Sequence, residues 1–209
     1  MPPLVESPGV RLHKLPAMPG KSDVDPLLAG LGDHRLVVYG TDADLAAVVL
    51  RLLRTQRLAG TVVGYVPVDT RSAVGRLWDL PTDNGKALDL ALRGEPDRVP
   101  LIRDDHGGVL LGMGVLGPVR GVAYCDDTVV LRGHASRIEV TADMNAGLAV
   151  RVIRRGVLTR RQRTTTGRAM QIGGSSMRPQ CDGVPHPRSV TKWTWYRHTD
   201  DLRLVRGLL

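Results

Sequence analysis

Phenylalanine is absent from the chain, and all aromatic residues together make up 3% of its 209 residues. A core built of packed rings is therefore excluded, and Leu, Val, Ala and Ile must supply most of the buried surface. Only two cysteines occur, Cys125 and Cys181. Two are too few for a disulfide framework and suit a reducing compartment, so a cytoplasmic protein is expected, with a single bridge as the alternative. Neither cysteine stands at a metal-ligand spacing and the six histidines are scattered, so no metal site is expected. No run approaches the roughly 18 consecutive apolar residues of a membrane span. The opening "MPPLVESPGVRLHKLPAMPG" has no charged segment ahead of an apolar run, so it does not read as a signal peptide. Its prolines and glycines predict an extended arm. Low-complexity tracts and internal repeats are also missing.

What is present is an ordinary apolar fraction of 42%, enough for a core, with a net charge of +8 and a pI near 10.2. That balance points to anionic partners: nucleic acid, acidic lipid headgroups or phosphorylated ligands. Arginine dominates lysine, and a purely compositional origin of the charge is the competing reading.

Apolar periodicity divides the chain in two. "HRLVVYG" (34–40) is a short apolar run ending in Gly, as in a buried parallel strand. "ADLAAVVLRLLRTQRLAG" follows with helical spacing, and Gly60 is the expected stop. "TVVGYVPV" reads as a second strand, "TRSAVGRLWDL" as a short helix, and "NGKALDLALRG" as another. Strand-helix repetition of this kind predicts an α/β half with a parallel sheet and flanking helices. Beyond Pro100 short alternating runs separated by turn residues predict an antiparallel all-β half. The expected division is residues 1–33 as an extended arm with a partial first strand, 34–100 as the α/β domain, and 101–209 as the β-rich domain. The last strand, in "DDLRLVRGLL", is either one more β-domain strand or a return to the first domain.

Three short motifs in this order resemble those of the diacylglycerol kinase catalytic domain family, bacterial lipid kinases that share the NAD kinase fold. The family carries Gly-Gly-Asp-Gly-Thr-Leu after a strand; here Gly40-Thr41-Asp42-Ala43-Asp44-Leu45 stands in that place. One strand-helix unit later it has Pro-Leu-Gly-Thr-Gly-Asn-Asp; here Pro67-Val68-Asp69-Thr70-Arg71-Ser72. "AVGRLWDLPTD", including Arg76, is similar to the continuation of that motif. Near its C-terminus the family has Asp-Gly-Glu; here Asp182-Gly183-Val184. The resemblance covers residues 34–100 and, more loosely, 120–209. It implies an NAD kinase/diacylglycerol kinase-like fold and, if activity is retained, an ATP- and Mg2+-dependent lipid kinase. Gly40, Asp42, Thr70 and Ser72 would then face the nucleotide, and Asp182 would be the general base.

The departures weaken that chemistry. Glycine lets a turn approach phosphate and adopt positive φ, yet Thr41 and Ala43 replace two glycines of the first motif, and Asp69 and Arg71 replace two of the second. Asp44 and Asp69 would repel phosphates unless a cation lay between them. Val184 stands where a second carboxylate is expected, and the family's initial Asn-Pro-x-Ser-Gly loop has no counterpart. Phosphoryl transfer rests on positioning and metal-assisted neutralisation, so these losses together favour a non-catalytic protein that binds a lipid, a phosphorylated ligand or a protein partner in the cleft between its halves.

Each site residue has a plainer reading. Asp42 suits a cap on the helix that follows it, and Asp182-Gly183 is a turn signal. Cys181 is either a redox-sensitive thiol or a buried apolar residue. Arg71 and Arg76 are either bidentate hydrogen-bond donors to a phosphate or solvated surface. Arg160, Arg161 and Arg163 belong to the basic stretch 151–168, where strand alternation is expected to set several arginines on one face. That face would meet an anionic membrane or, less readily, nucleic acid, making the protein a basic surface-binding module. In "KWTWYRH" the tryptophans are expected in the core. A homodimer is expected through the sheet edge that a missing first strand would expose.

Overall fold

The computed structural model describes residues 9–155 and 160–207. The arm contains a helix, α1 (Lys21–Ala29), where an extended segment was expected. Gly20 starts it, and the Asp23 carboxylate accepts the Gly20 N–H at 2.7 Å. Nine residues with an internal proline carry little helical propensity, so packing decides the matter. Val24 and Leu28 are buried, and Asp25 accepts two hydrogen bonds of 2.8 Å from Arg51 of the next helix.

β1 (Leu36–Gly40) runs into α2 (Asp42–Arg54), whose buried stripe is Leu45, Val48, Val49 and Leu52. That helix ends well before Gly60. Thr55 Oγ bonds back to the Arg51 carbonyl at 2.8 Å, and Gln56 turns left-handed at φ +58°. β2 (Val62–Pro67) lies parallel to β1, and then come α3 (Ala73–Leu77), capped by Ser72, and α4 (Asn84–Arg93), capped by Asp83. β3 (Pro96–Val99) completes this part of the chain.

The rest is strand: β4 (Ile102–Asp104), β5 (Val109–Leu110), β6 (Gly114–Leu116), β7 (Val119–Cys125), β8 (Thr128–Ala135), β9 (Arg137–Asp143), β10 (Gly147–Arg155), β11 (Arg160–Gly167), β12 (Ala169–Met177), β13 (Gln180–Cys181), β14 (Val184–Pro185), β15 (Val190–Arg197) and β16 (Leu202–Val205). Three sheets result, ordered β1-β2-β16-β3, β11-β10-β9-β6-β13-β14 and β5-β4-β15-β12-β7-β8. The first is mixed rather than parallel, because β16 lies parallel to β2 but antiparallel to β3. The chain's last strand thus sits inside the sheet that its first strands build, and one apolar core runs through both halves.

The other two sheets are antiparallel and packed face to face. Trp193 and Trp195 alternate inward from β15 with 2% and 0% exposure, and Gly114 on the facing sheet admits the Trp195 ring, which a Cβ there would meet at 2.8 Å. With so few aromatics, these two rings anchor the sandwich. Cys125 and Cys181 are both free. Among the described residues no helix is long and apolar enough to cross a membrane.

A second close approach holds α4 on the first sheet. A Cβ on Gly64 would lie 2.5 Å from the Ala91 carbonyl oxygen and 2.9 Å from its Cβ. Gly64→Ala is therefore expected to destabilise the protein by about 1–3 kcal/mol, the usual cost of overpacking, read as a lower urea midpoint with an unchanged m-value.

Candidate functional site

Because β1 and β2 are parallel neighbours with Gly40 opposite Pro67, the turns that follow them lie side by side. Asp42 does not cap its own helix. Thr41, in extended conformation at φ −82°, does so, accepting the Asp44 N–H, while Asp44 accepts the Thr41 N–H in return. That exchange folds Asp44 over the turn, where a Cβ on Gly40 would meet its Oδ2 at 2.8 Å. Asp44 also accepts the Met18 N–H at 2.7 Å. The charge that the sequence set against phosphate is thus committed to the turn itself.

Asp42 instead reaches across to the second turn. Its Oδ1 accepts Ser72 Oγ at 2.5 Å and Tyr65 Oη at 2.8 Å, and its Oδ2 accepts the backbone N–H of Ala73 at 2.6 Å and of Val74 at 3.4 Å. The residue expected as a cap on α2 therefore ties down the first turn of α3. Burial, reinforced by the Asp42 charge, raises the Tyr65 phenol well above its ordinary range, so it stays a donor.

Asp182 approaches the same place from the other half. With Gly183 it makes the two-residue turn between β13 and β14, at φ +51° and +85°. Its carboxyl is buried, at 8% exposure for the residue. Oδ1 accepts the N–H groups of Gly112 at 2.7 Å and Met113 at 3.0 Å, and Oδ2 accepts that of Leu111 at 2.9 Å. Burial pushes its pKa up to about 7 although those three donors pull it down, and the nearby Asp42 charge adds to the rise. The 111–113 segment so held is wedged against α3, since a Cβ on Gly112 would lie 2.9 Å from both Ala73 Cβ and Val74 N. Gly112 was not singled out from the sequence, where it is one of several glycines in "GGVLLGMGVLG". Nothing local marks it as the contact between the halves.

Ligand-sized space opens on the other flank of α3. A cavity of about 310 Å³ is bordered by Asp69, Thr70, Ser72, Arg76, Asp79 and Thr82. Thr70, Ser72 and Arg76 are thereby brought together, while Gly40, Asp42 and Asp182 do not line this space. Arg71 turns onto Asp69, to which it donates its backbone N–H at 2.8 Å and its guanidinium at 3.3 Å. Those bonds from Arg71, helped by Arg76, hold the Asp69 carboxyl below its usual value. The Cys181 thiol is pushed up to about 12, chiefly by burial, which opposes thiolate reactivity.

Arg161 and Arg163 lie elsewhere, on edge strand β11 of the β11-to-β14 sheet, as does the backbone of Arg160. The β10–β11 register sets Arg154, Arg161 and Arg163 on one face of the sheet and Arg151 and Arg155 on the other. Arg154 and Arg161 are partners, and Val152 partners Arg163, whereas Arg151 faces the opposite side beside Thr164. Arg151 and Arg137 both pair with Glu139.

Mg2+ does not fit this arrangement. The oxygens of Asp42 and Asp182 are taken by internal donors, and among the described residues no group of three or more His, Cys, Asp or Glu is placed to hold a metal ion.

Asp182→Asn tests the strut. An amide can accept from two of the three backbone donors but presents its own NH2 to the third, so at pH 4.5 the variant is expected to be less stable by about 1–3 kcal/mol. The folded pKa of Asp182, about 7, lies above the unfolded value of 3.8. Its contribution is therefore complete below about pH 4 and lost as pH rises through about 7. His198, whose pKa is lowered chiefly by burial, acts in the opposite sense over part of that range. The difference between wild type and variant in urea cancels it, and that gap is expected to narrow from pH 4 to 7.

No protein-family model and no curated protein matches the chain. Solved structures do. A diacylglycerol kinase from Bacillus anthracis str. Sterne superposes with a TM-score of 0.68 at 12% identity, over 94% of this chain and 84% of that one. A putative diacylglycerol kinase from the same organism gives 0.68 at 11% identity, over 94% and 85%. Yeast NADH kinase complexed with NADH gives 0.53 at 12% identity, over 83% and 61%. The mixed sheet with its helices, followed by two antiparallel sheets, is thus the diacylglycerol kinase/NAD kinase-like fold.

Proposed function

We propose that the protein is a non-catalytic version of this kinase fold that binds a small phosphorylated molecule in the cavity beside α3. The observation that carries the reading is the internal use of both surviving motif carboxylates. Asp42 is bound by Ser72, Tyr65 and the start of α3, and Asp182 by the 111–113 backbone. Each accepts at least three hydrogen bonds from the chain itself, and the Gly112 backbone is wedged between α3 and Asp182. Positioning and charge neutralisation, on which phosphoryl transfer rests, both lack their groups.

The cavity lies beyond the carboxyl end of β2, where open α/β sheets take ligands. At about 310 Å³ it is at the small end of ligand sites, suited to a headgroup-sized molecule. Arg76 offers a guanidinium for phosphate, and Thr70 and Thr82 offer hydroxyls for a polyol. An active lipid kinase using ATP and Mg2+ is the second reading. It is favoured by one feature, a carboxyl at the base position that titrates near neutrality, as a general base should.

Millimolar ATP with Mg2+ is expected to shift the thermal midpoint by less than about 1 °C, whereas saturating glycerol phosphate should raise it by roughly 2–4 °C. Arg76→Ala should abolish the latter shift. Transfer of labelled phosphate to diacylglycerol by the wild type, absent in Asp182→Asn, would establish the second reading in place of the first.

A further inference from the structure

The cavity beside α3 is not lined for an anion alone. Asp69 and Asp79 both border it, and Arg76 is the one basic residue on its border. Asp69 is matched, because Arg71 donates to it from both its backbone N–H and its guanidinium. Asp79 is not. Among the described residues no hydrogen bond or ion pair engages its carboxylate, and Arg76 does not pair with it. A space of about 310 Å³ is small against the screening length of about 8 Å in physiological salt, so charges on its border act on any ligand within it. A phosphate held by Arg76 alone would be repelled by the unmatched Asp79 carboxylate.

Local structure gives no reason for a carboxylate at residue 79. The Leu80 N–H reaches back to the Gly75 carbonyl at 2.8 Å and closes the end of α3, with Asp79 between them, left-handed at φ +53°. Glycine is the usual residue at that place in a helix end, since it takes positive φ without steric cost. An acid there also meets the carbonyl end of the helix, which favours a cation. The Asp79 side chain is thus set on the cavity border against the preferences of the turn that carries it.

We propose that the cavity ligand is a zwitterion, a phosphate ester that carries a cationic amine, with Arg76 against the phosphate and Asp79 against the amine. The inference rests on the reading of this cavity as a phosphate site. It makes Asp79 the residue that selects the amine. Thr70 and Thr82 serve an alcohol and an amino alcohol alike, whereas a cation offsets the Asp79 charge. An aminoethyl phosphate has this chemistry, either free or as the headgroup of a phospholipid.

The test titrates the full chain by thermal shift with two matched pairs of ligands. O-phosphoethanolamine against glycerol phosphate compares free esters. Glycerophosphoethanolamine against glycerophosphoglycerol compares phospholipid headgroups without their chains. In one pair or both the amine is expected to bind about fivefold more tightly, the effect of an ion pair between partly exposed groups, and the pair that shows it identifies the source. Asp79→Asn should lose that preference and bind glycerol phosphate about twofold more tightly, because a like charge has gone. Asn accepts positive φ as Asp does, and Asp79→Gly, with melts of both variants, guards against a change in the turn. A merely structural role of Asp79 would weaken every ligand together. That result, or equal binding of amine and alcohol by the wild type in both pairs, would overturn the inference and leave the phosphate site standing. Binding of none of the four ligands would overturn the phosphate site and the inference with it.

Discussion

One carboxylate holds the first half of the molecule in register with itself. Asp42 leaves the end of β1 and is bound by Tyr65 from β2, by Ser72 from the following loop, and by the first N–H groups of α3. Two strand-to-helix turns that need only be neighbours are thereby fused into one block. The short α3 has few hydrogen bonds of its own, so an acceptor at its first turn decides whether it forms. Its first turn then becomes the surface on which the β half rests, through Gly112.

The same arrangement changes what the motif positions do. In a phosphate-binding turn, glycine leaves backbone N–H groups free to face an anion. Here Thr41 and Asp44 cap each other, and the turn needs no positive φ. Side-chain oxygens of the protein occupy the donors that a phosphate would use. Asp182 repeats the pattern in the β half, where three backbone donors converge on a carboxylate of the chain. Within the kinase-like fold both acids bind segments of their own chain. A buried carboxylate bound by three backbone donors orders the segment that supplies them, at the desolvation cost that raises the Asp182 pKa.

The motifs were legible because strand-turn-helix spacing survives substitution. Gly40, Asp42, Thr70 and Ser72 could be located from it, and the inward alternation of Trp193 and Trp195 could be read from "KWTWYRH". The partner of Asp42 could not, since its natural reading is local and the competing cap, Thr41, stands beside it. α1 leaves no signal in the sequence, because nine residues with Pro26 have no helical preference apart from the face of α2. The arginines of β10 and β11 were visible as charge, but their division between faces depends on a register that a sequence rich in Thr and Arg does not specify.

By itself the sequence determined the order of elements, the change from helical to strand period near Pro100, the scarcity of rings for the core and the place of each degenerate motif. These follow from periodicity, capping and composition, which act over a few residues. Only the tertiary structure decided that β16 enters the first sheet between β2 and β3, that Asp42 serves α3 rather than α2, and that Asp182 holds the Gly112 segment against α3 while a cavity opens beside that helix. Those outcomes depend on which backbone donors lie within 3 Å or so of a carboxylate after folding, and such donors come from segments far apart in the chain.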